Sequence, residues 1–144
     1  MNTFEELDCG KKSVALRRKL SSLVKTFPME ERFKLTDQIL RASRSVTANI
    51  AEGFGRFHYQ EYIQYCRQSR GSLYELIDHL IVAWDEKYIT ESELAELRKD
   101  IHNCLAVLNG FINYLLKAKS GNTSEEPHVT YDLSEVSERI TYNG

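Results

Sequence analysis

The sequence predicts an all-α protein folded as an antiparallel, up-down-up-down four-helix bundle. Four stretches of the 144-residue chain repeat apolar residues every three or four positions. The two prolines, Pro28 and Pro127, lie where this periodicity stops, so long helices are permitted between them. No stretch alternates apolar and polar residues strictly, so no strand is predicted. Short connections make consecutive helices antiparallel.

The first half of the chain contains two of the predicted helices. Thr3 and Glu6 have the spacing of a capping box, which starts the first helix just after Thr3, and Pro28 ends it. Thr36 is the predicted N-cap of the second helix, which ends near residues 53–55 because two glycines occur there. One flank of the second helix carries small residues that allow another backbone to approach closely: Ala42, Ser43, Ser45, Ala48, Ala51 and Gly53.

The second half of the chain predicts two longer helices. The third runs from about Tyr59 to Lys87, and a capping box at Thr90 and Glu93 starts the fourth, which stops at Gly121. The predicted core stripe of the third helix is Tyr59, Tyr62, Ile63, Cys66, Leu73, Ile77, Leu80 and Trp84. A second apolar row lies about 80 to 100° from this stripe and widens the apolar arc. We therefore predict that this row forms an interface between copies of the chain: Tyr65, Leu76 and Ala83.

The bundle domain is predicted over residues 1–119, and residues 120–144 are an acidic tail that we expect to be mobile. The tail is rich in Ser, Thr, Asn and Glu, which bury too little apolar surface to fold alone. Its Leu133, Val136 and Ile140 keep a spacing of three to four residues, which leaves open a short helix against the bundle or a partner.

Composition favours a soluble, cytoplasmic protein that has no membrane partner. The three cysteines are odd in number and lack CxxC or CxxH spacing, which argues against a disulfide framework and a zinc cluster. The N-terminus carries acidic residues where a secretory signal carries positive charge, and no apolar run approaches about 18 residues.

The motifs of enzymes are missing from the sequence, so we predict no catalytic site, no metal and no cofactor. A carboxylate-bridged metal bundle needs a Glu-x-x-His pair on each of two helices. Glu75, Asp78 and His79 come nearest to this pattern, but it has no second copy. Ser69 and Cys66 lie within a predicted helix, whereas a nucleophilic serine lies on a strained elbow after a strand.

Positive charge is concentrated in the first half of the chain although the net charge is -2. Residues 11–70 hold 13 Lys and Arg against five acidic residues, and residues 120–144 hold one against five. The planar fork of arginine suits phosphate because it donates two parallel hydrogen bonds. The candidate nucleic-acid-binding residues on the first two helices are Arg17, Arg18, Lys34, Arg41, Arg44 and Arg56. A solvated face, or one paired with another subunit, leaves the same pattern.

Several short motifs together are typical of one family. They are Phe27-Pro28, Leu35-Thr-Asp-Gln38, Arg41-Ala-Ser43, Asn49-Ile-Ala-Glu-Gly53, Arg56, Gly71-Ser72 and Glu75-Leu76. Over residues 4 to about 119 the chain resembles the 23S rRNA intervening-sequence protein family, also called the four helix bundle protein family. Gly10 departs from the pattern, which has an aromatic residue after Cys9, and we expect it to loosen the first turn of the first helix.

The resemblance implies a bacterial protein that assembles as a ring-shaped homopentamer. Related bundles serve as accessory variability proteins of diversity-generating retroelements, where a basic pentamer binds RNA and the reverse transcriptase. We therefore expect a non-catalytic oligomer that binds nucleic acid, specifically structured RNA, through its basic helix face. The alternative is a protein-protein adaptor, such as an accessory factor for a reverse transcriptase or another locally encoded enzyme. We also expect the acidic tail to cover the basic face when RNA is absent.

Overall fold

The computed structural model describes residues 4–56 and 58–121, and every regular element in these residues is helical. The four long helices are α1 (Asp8–Leu23), α2 (Leu35–Phe54), α3 (Tyr59–Asp85) and α4 (Glu91–Ser120). Three short 3-10 helices lie outside them, at Phe4–Glu6, Val24–Thr26 and Met29–Glu31. Consecutive helices pack against each other, and α4 packs back against α1. The predicted all-α four-helix bundle is confirmed.

The helices bury side chains at alternating spacings of three and four residues. The buried seam of α3 is Tyr62, Cys66, Ser69, Leu73, Leu76, Leu80 and Ala83. The seam of α4 is Leu94, Leu97, Ile101, Cys104, Leu108, Phe111 and Leu115. This spacing is typical of helices that cross at roughly 20° and interdigitate their side chains as in a coiled coil.

The predicted core stripe of α3 is confirmed at Tyr62, Ile63, Cys66, Leu73 and Leu80, and it was wrong at Trp84. Leu76 and Ala83, assigned to an interface between copies, are fully buried inside the protomer, whereas Trp84, assigned to the core, is 42% exposed. The polar residue Ser69 lies in the middle of the seam, where its Oγ donates to the carbonyl oxygen of Val46 at 2.8 Å. Leu76 and Ala83 continue the seam at spacings of three residues from Leu73 and Leu80, which is why they are buried where the prediction placed them outside the core.

The first helix begins later than its predicted capping box. The 3-10 turn Phe4–Glu6 precedes α1, whose N-cap is the buried Leu7, and Thr3 lies outside the described residues. Gly10 is buried below this turn, and a Cβ atom there would stand 2.2 Å from the carbonyl oxygen of Phe4. The glycine therefore permits the turn to lie on α1, and the expected loosening was the wrong interpretation.

The other helix ends follow the predictions more closely. Lys34, two residues before the predicted Thr36, is the N-cap of α2, and Glu31 Oε2 accepts a hydrogen bond from the first backbone N–H of this helix at 3.1 Å. The capping box of Thr90 and Glu93 is present at the start of α4, with both hydrogen bonds formed.

The C-terminal tail beyond Gly121 lies outside the described residues, and so does its predicted apolar segment. Among the helices of residues 4–56 and 58–121, none is long and apolar enough to cross a membrane.

Helices α2 and α3 approach each other closely, as the small residues of α2 predict. At Gly53 a Cβ atom would lie 3.0 Å from Tyr65 Cβ and 3.1 Å from Tyr62 Cδ1. Tyr62 is fully buried and packs edge-on against Phe111, with the ring centroids 5.0 Å apart, so its ring has no room to move aside.

We predict opposite effects of the same substitution at two helical glycines. Gly53→Ala should lower the free energy of unfolding by about 1 kcal/mol because overpacking outweighs the gain in helix propensity. Gly71→Ala is the matched control: nothing lies within 4 Å of its new Cβ atom, so it should raise this free energy by about 0.5–1 kcal/mol. Urea unfolding followed by circular dichroism measures both, and equal stabilisation would contradict the close approach.

Candidate nucleic-acid interface

Helices α1 and α2 are joined by a hydrogen bond that brings their cations together. Arg17 of α1 is half-buried and donates from Nη1 to Thr47 Oγ1 of α2 at 2.9 Å. The Thr47 hydroxyl also donates to the carbonyl oxygen of Arg44 at 3.2 Å. Since Thr47 is neutral, Arg17 keeps its charge, and its guanidinium group lies next to the turn of α2 that carries Arg44.

Five of the six predicted residues are on α1, on α2 or at the N-cap of α2. Lys34 and Arg41 lie nearer the edge of α2 where Ser45 meets Ser72 of α3. On α2, positions separated by three, four or seven residues share one face, which aligns Lys34 with Arg41 and Arg44. On α1, Arg17 and Arg18 line a shallow groove together with Lys11. We call this surface the α1–α2 face and define it by Arg17, Arg18, Lys34, Arg41 and Arg44.

Most of the charge on the α1–α2 face is uncompensated. Arg18, Lys34 and Arg44 are exposed, and none of them forms an ion pair with another described residue. The side chain of Arg41 is 76% exposed and lies 3.9 Å from Asp37, a solvent-screened pair that contributes little. These cations are therefore free to contact an anionic ligand.

Lys19, on the opposite side of α1, is neutralised within the bundle. Its Nζ binds Asp100 Oδ2 at 2.7 Å and Glu96 Oε1 at 2.8 Å, both on α4. These hydrogen bonds, the one to Asp100 first, raise the pKa of Lys19. Lys19 thus joins α1 to α4 with its charge compensated, unlike the exposed cations Arg18, Lys34 and Arg44.

Arg56, the sixth predicted residue, belongs to a separate cluster between α2 and α3. Its Nη2 donates to Glu52 Oε1 at 2.8 Å and to Tyr65 Oη at 3.1 Å, and its guanidinium carbon lies 5.4 Å from the centre of the Tyr65 ring. The hydrogen bond with Glu52 raises the pKa of Arg56. Arg56 therefore serves the contact between the helices, and Tyr65, predicted to meet other copies, is half-buried against it.

Sequence reasoning missed an exposed aromatic residue next to the α1–α2 face. Phe33 is 83% exposed in the connection from α1 to α2, immediately before Lys34. The guanidinium carbon of Arg32 lies 5.2 Å from the centre of its ring. A single apolar residue in a turn has no periodicity, so only its position beside two cations signalled a role.

The three cysteines are free thiols buried in the core. Burial raises the pKa of Cys9 to about 12 and that of Cys104 to about 11, and it raises the pKa of Cys66 well above its ordinary value. A protonated thiol is a poor nucleophile and a poor metal ligand. Among residues 4–56 and 58–121, no group of three His, Cys, Asp or Glu side chains is placed to hold a metal ion.

Comparison with known proteins identifies the family. The family model of the 23S rRNA-intervening sequence protein matches residues 5–110. The chain belongs to this family. The match includes α1, α2 and α3 completely, and with them the whole α1–α2 face.

One solved structure supports the fold of this family member. It is a protein of unknown function from the S23 ribosomal protein family of Bacteroides thetaiotaomicron, 23% identical in sequence, with a TM-score of 0.68. The similarity covers 73% of this chain and 95% of the other, and at this identity it shows the fold alone. None of the curated proteins compared with the chain matches it.

We predict that all three thiols of the folded protein resist alkylation, with labelling by iodoacetamide near pH 8 as the measurement. Unfolding in urea should expose them and allow complete labelling. Because the raised pKa values belong to the folded state alone, the unfolded state loses thiol protons first as pH rises above 9.0. The free energy of unfolding should therefore decrease above this pH. Fast labelling of native protein would contradict the buried positions.

Proposed function

We propose that this 23S rRNA-intervening sequence protein is a non-catalytic protein that binds structured RNA through the α1–α2 face. The uncompensated charge of this face carries the proposal, because the exposed side chains of Arg18, Lys34 and Arg44 form no ion pair with another described residue and are available for phosphate oxygens. The family's name refers to 23S rRNA and so supports RNA as the ligand. Such contacts position the RNA backbone and do not read its bases.

The layout of α2 suits a polyanion better than a single small anion. From Lys34 to Arg44 the cations extend along roughly 15 Å of helix, since each residue adds about 1.5 Å. A row of charges of this length meets successive phosphates of one strand. Each phosphate that is neutralised releases condensed counterions, so the affinity of such a face decreases with salt.

We propose in addition that the protein acts as a cytoplasmic homo-oligomer, in the five-membered ring that the resemblance implies. Repeating the α1–α2 face in each copy would convert weak phosphate contacts into avidity. Exposed apolar side chains on α3 and α4 support contacts between copies in place of the predicted row: Tyr74, Val82, Trp84 and Leu116. The free thiols support a reducing compartment.

We predict a steep salt dependence of RNA binding that depends on the α1–α2 face. Arg18→Ala/Arg44→Ala should make the slope of log K against log salt shallower by about 1.4 to 1.8, because about 0.7 to 0.9 is lost with each phosphate contact. Fluorescence anisotropy with a structured RNA at several salt concentrations measures this slope.

The matched control for this experiment is Arg98→Ala/Lys99→Ala, which removes two exposed charges of α4. It should leave the slope unchanged. An equal effect of both variants would mean that RNA senses only net charge. Absence of binding at low salt by an intact oligomer would contradict RNA binding and favour the protein adaptor.

We predict that the acidic tail competes with RNA for the α1–α2 face. Replacing its five carboxylates by amides in the full chain should tighten RNA binding at low salt: Glu125→Gln, Glu126→Gln, Asp132→Asn, Glu135→Gln and Glu138→Gln. The matched control makes the same change of charge on α3 and at its C-cap, with Glu61→Gln, Glu75→Gln, Asp78→Asn, Asp85→Asn and Glu86→Gln, all at exposed positions. Equal tightening in both variants would show an effect of net charge and rule out competition by the tail.

A further inference from the structure

We propose that Phe33 is a stacking platform for an unpaired nucleobase at one end of the α1–α2 face. The inference rests on the proposed RNA binding and narrows its ligand class. The preferred RNA would present unstacked nucleotides, as loops, bulges and single strands do, next to the backbone that the cations hold.

Phe33 is the most exposed of the large apolar residues in the described chain, and it is aromatic. It is 83% exposed and Met29, in the same connection, is 80% exposed, whereas the remaining large exposed hydrophobic residues lie between 37% and 45%. A ring that is almost entirely in water contributes little to the core of the bundle. It does offer an aromatic surface to a ligand.

The positive charge around the Phe33 ring indicates which class of ligand the ring would bind. Arg32 lies over the ring, its guanidinium carbon 5.2 Å from the ring centre, and Lys34 follows in sequence. Arg32 occupies one side of the ring, which leaves the opposite side for a second planar group. An aromatic ring flanked by cations is the combination that binds single-stranded nucleic acid, with bases on the ring and phosphates on the charges.

The connection that carries Phe33 is held in place by hydrogen bonds at its base. Glu31 Oε1 accepts a hydrogen bond from Tyr88 Oη at 3.1 Å, while its Oε2 caps the first turn of α2. The ring of Tyr88 also packs against Phe27, with the centroids 5.4 Å apart. These contacts fix the turn from both sides and present Phe33 outwards, so little conformational freedom remains to be lost when a base stacks on it.

The position of Phe33 determines how a bound RNA strand would run along α2. The row of cations on α2 begins at the next residue, so a strand whose base stacks on Phe33 can continue with its phosphates along Lys34, Arg41 and Arg44. A continuous A-form duplex keeps its bases stacked on one another and offers phosphates and the edges of its grooves instead. The stacking contact therefore favours unpaired nucleotides over duplex RNA.

The test compares a single-stranded RNA oligonucleotide with a duplex of the same sequence, using full-length protein. Phe33→Ala should weaken binding of the single strand on the order of tenfold, the size expected for loss of one stacked base. Duplex affinity and the salt slope should remain unchanged, because no phosphate contact is removed. Phe33→Trp should restore binding. Met29→Ala is the matched control, since it removes an equally exposed side chain without a ring, and it should have no effect.

A direct readout of stacking uses the tryptophan introduced by Phe33→Trp in a Trp84→Phe background, which leaves one tryptophan in the chain. The single strand should quench its fluorescence. Unchanged single-strand affinity in Phe33→Ala would overturn the stacking site. If Arg18→Ala/Arg44→Ala still lost binding in that case, RNA binding itself would stand. A change of oligomeric mass in Phe33→Ala, or an equal loss in Met29→Ala, would also overturn the site and indicate a protein contact.

Discussion

The hydroxyl group of Ser69 in α3 forms a hydrogen bond with the backbone of α2. This bond requires α2 and α3 to lie close together, and the rest of the bundle depends on that close approach. A buried hydroxyl must find a partner, and Ser69 finds the carbonyl oxygen of Val46 in α2. Two helices come this close only where at least one of them presents a small side chain at the contact. Gly53 provides the same condition at the end of α2, directly against Tyr65 and Tyr62. The short distance between α2 and α3 therefore follows from small and polar residues within the seams.

This close contact also determines where the long side chains of α2 are found. The side that packs against α3 holds small residues, whereas Arg41 and Arg44 are on the exposed outer side of the helix. Towards α1, a hydrogen bond from Arg17 to Thr47 joins the two helices and leaves the charge of Arg17 uncompensated. At the α3 edge the opposite holds, since Arg56 is bound to Glu52 and Tyr65. Packing and electrostatics thus divide α2 into a structural side and a charged side.

The sequence predicts structural features well where local interactions determine them and poorly where contacts between helices determine them. Proline and glycine act through their own backbone, and the Thr90 capping box acts through side chains that hydrogen-bond to backbone three residues away, so most helix ends were predictable. The burial of Leu76 and Ala83 and the exposure of Trp84 were not, because packing against the other helices decides which edge of the wide apolar arc of α3 is covered. The row of cations was visible as a periodic pattern. The attachment of Arg56 to Tyr65, nine residues away on another helix, required the fold.

Cations and an aromatic ring contribute differently to a surface that binds nucleic acid. Phe33 therefore matters although it is a single aromatic residue beside several cations. Phosphate contacts act on every strand equally and weaken with salt, so they give affinity without choice of RNA form. A stacked base contributes little to salt dependence and requires a nucleotide that has left its helix. Because Phe33 lies at one end of the cation row, the two contacts together orient a strand along α2, which neither contact alone achieves.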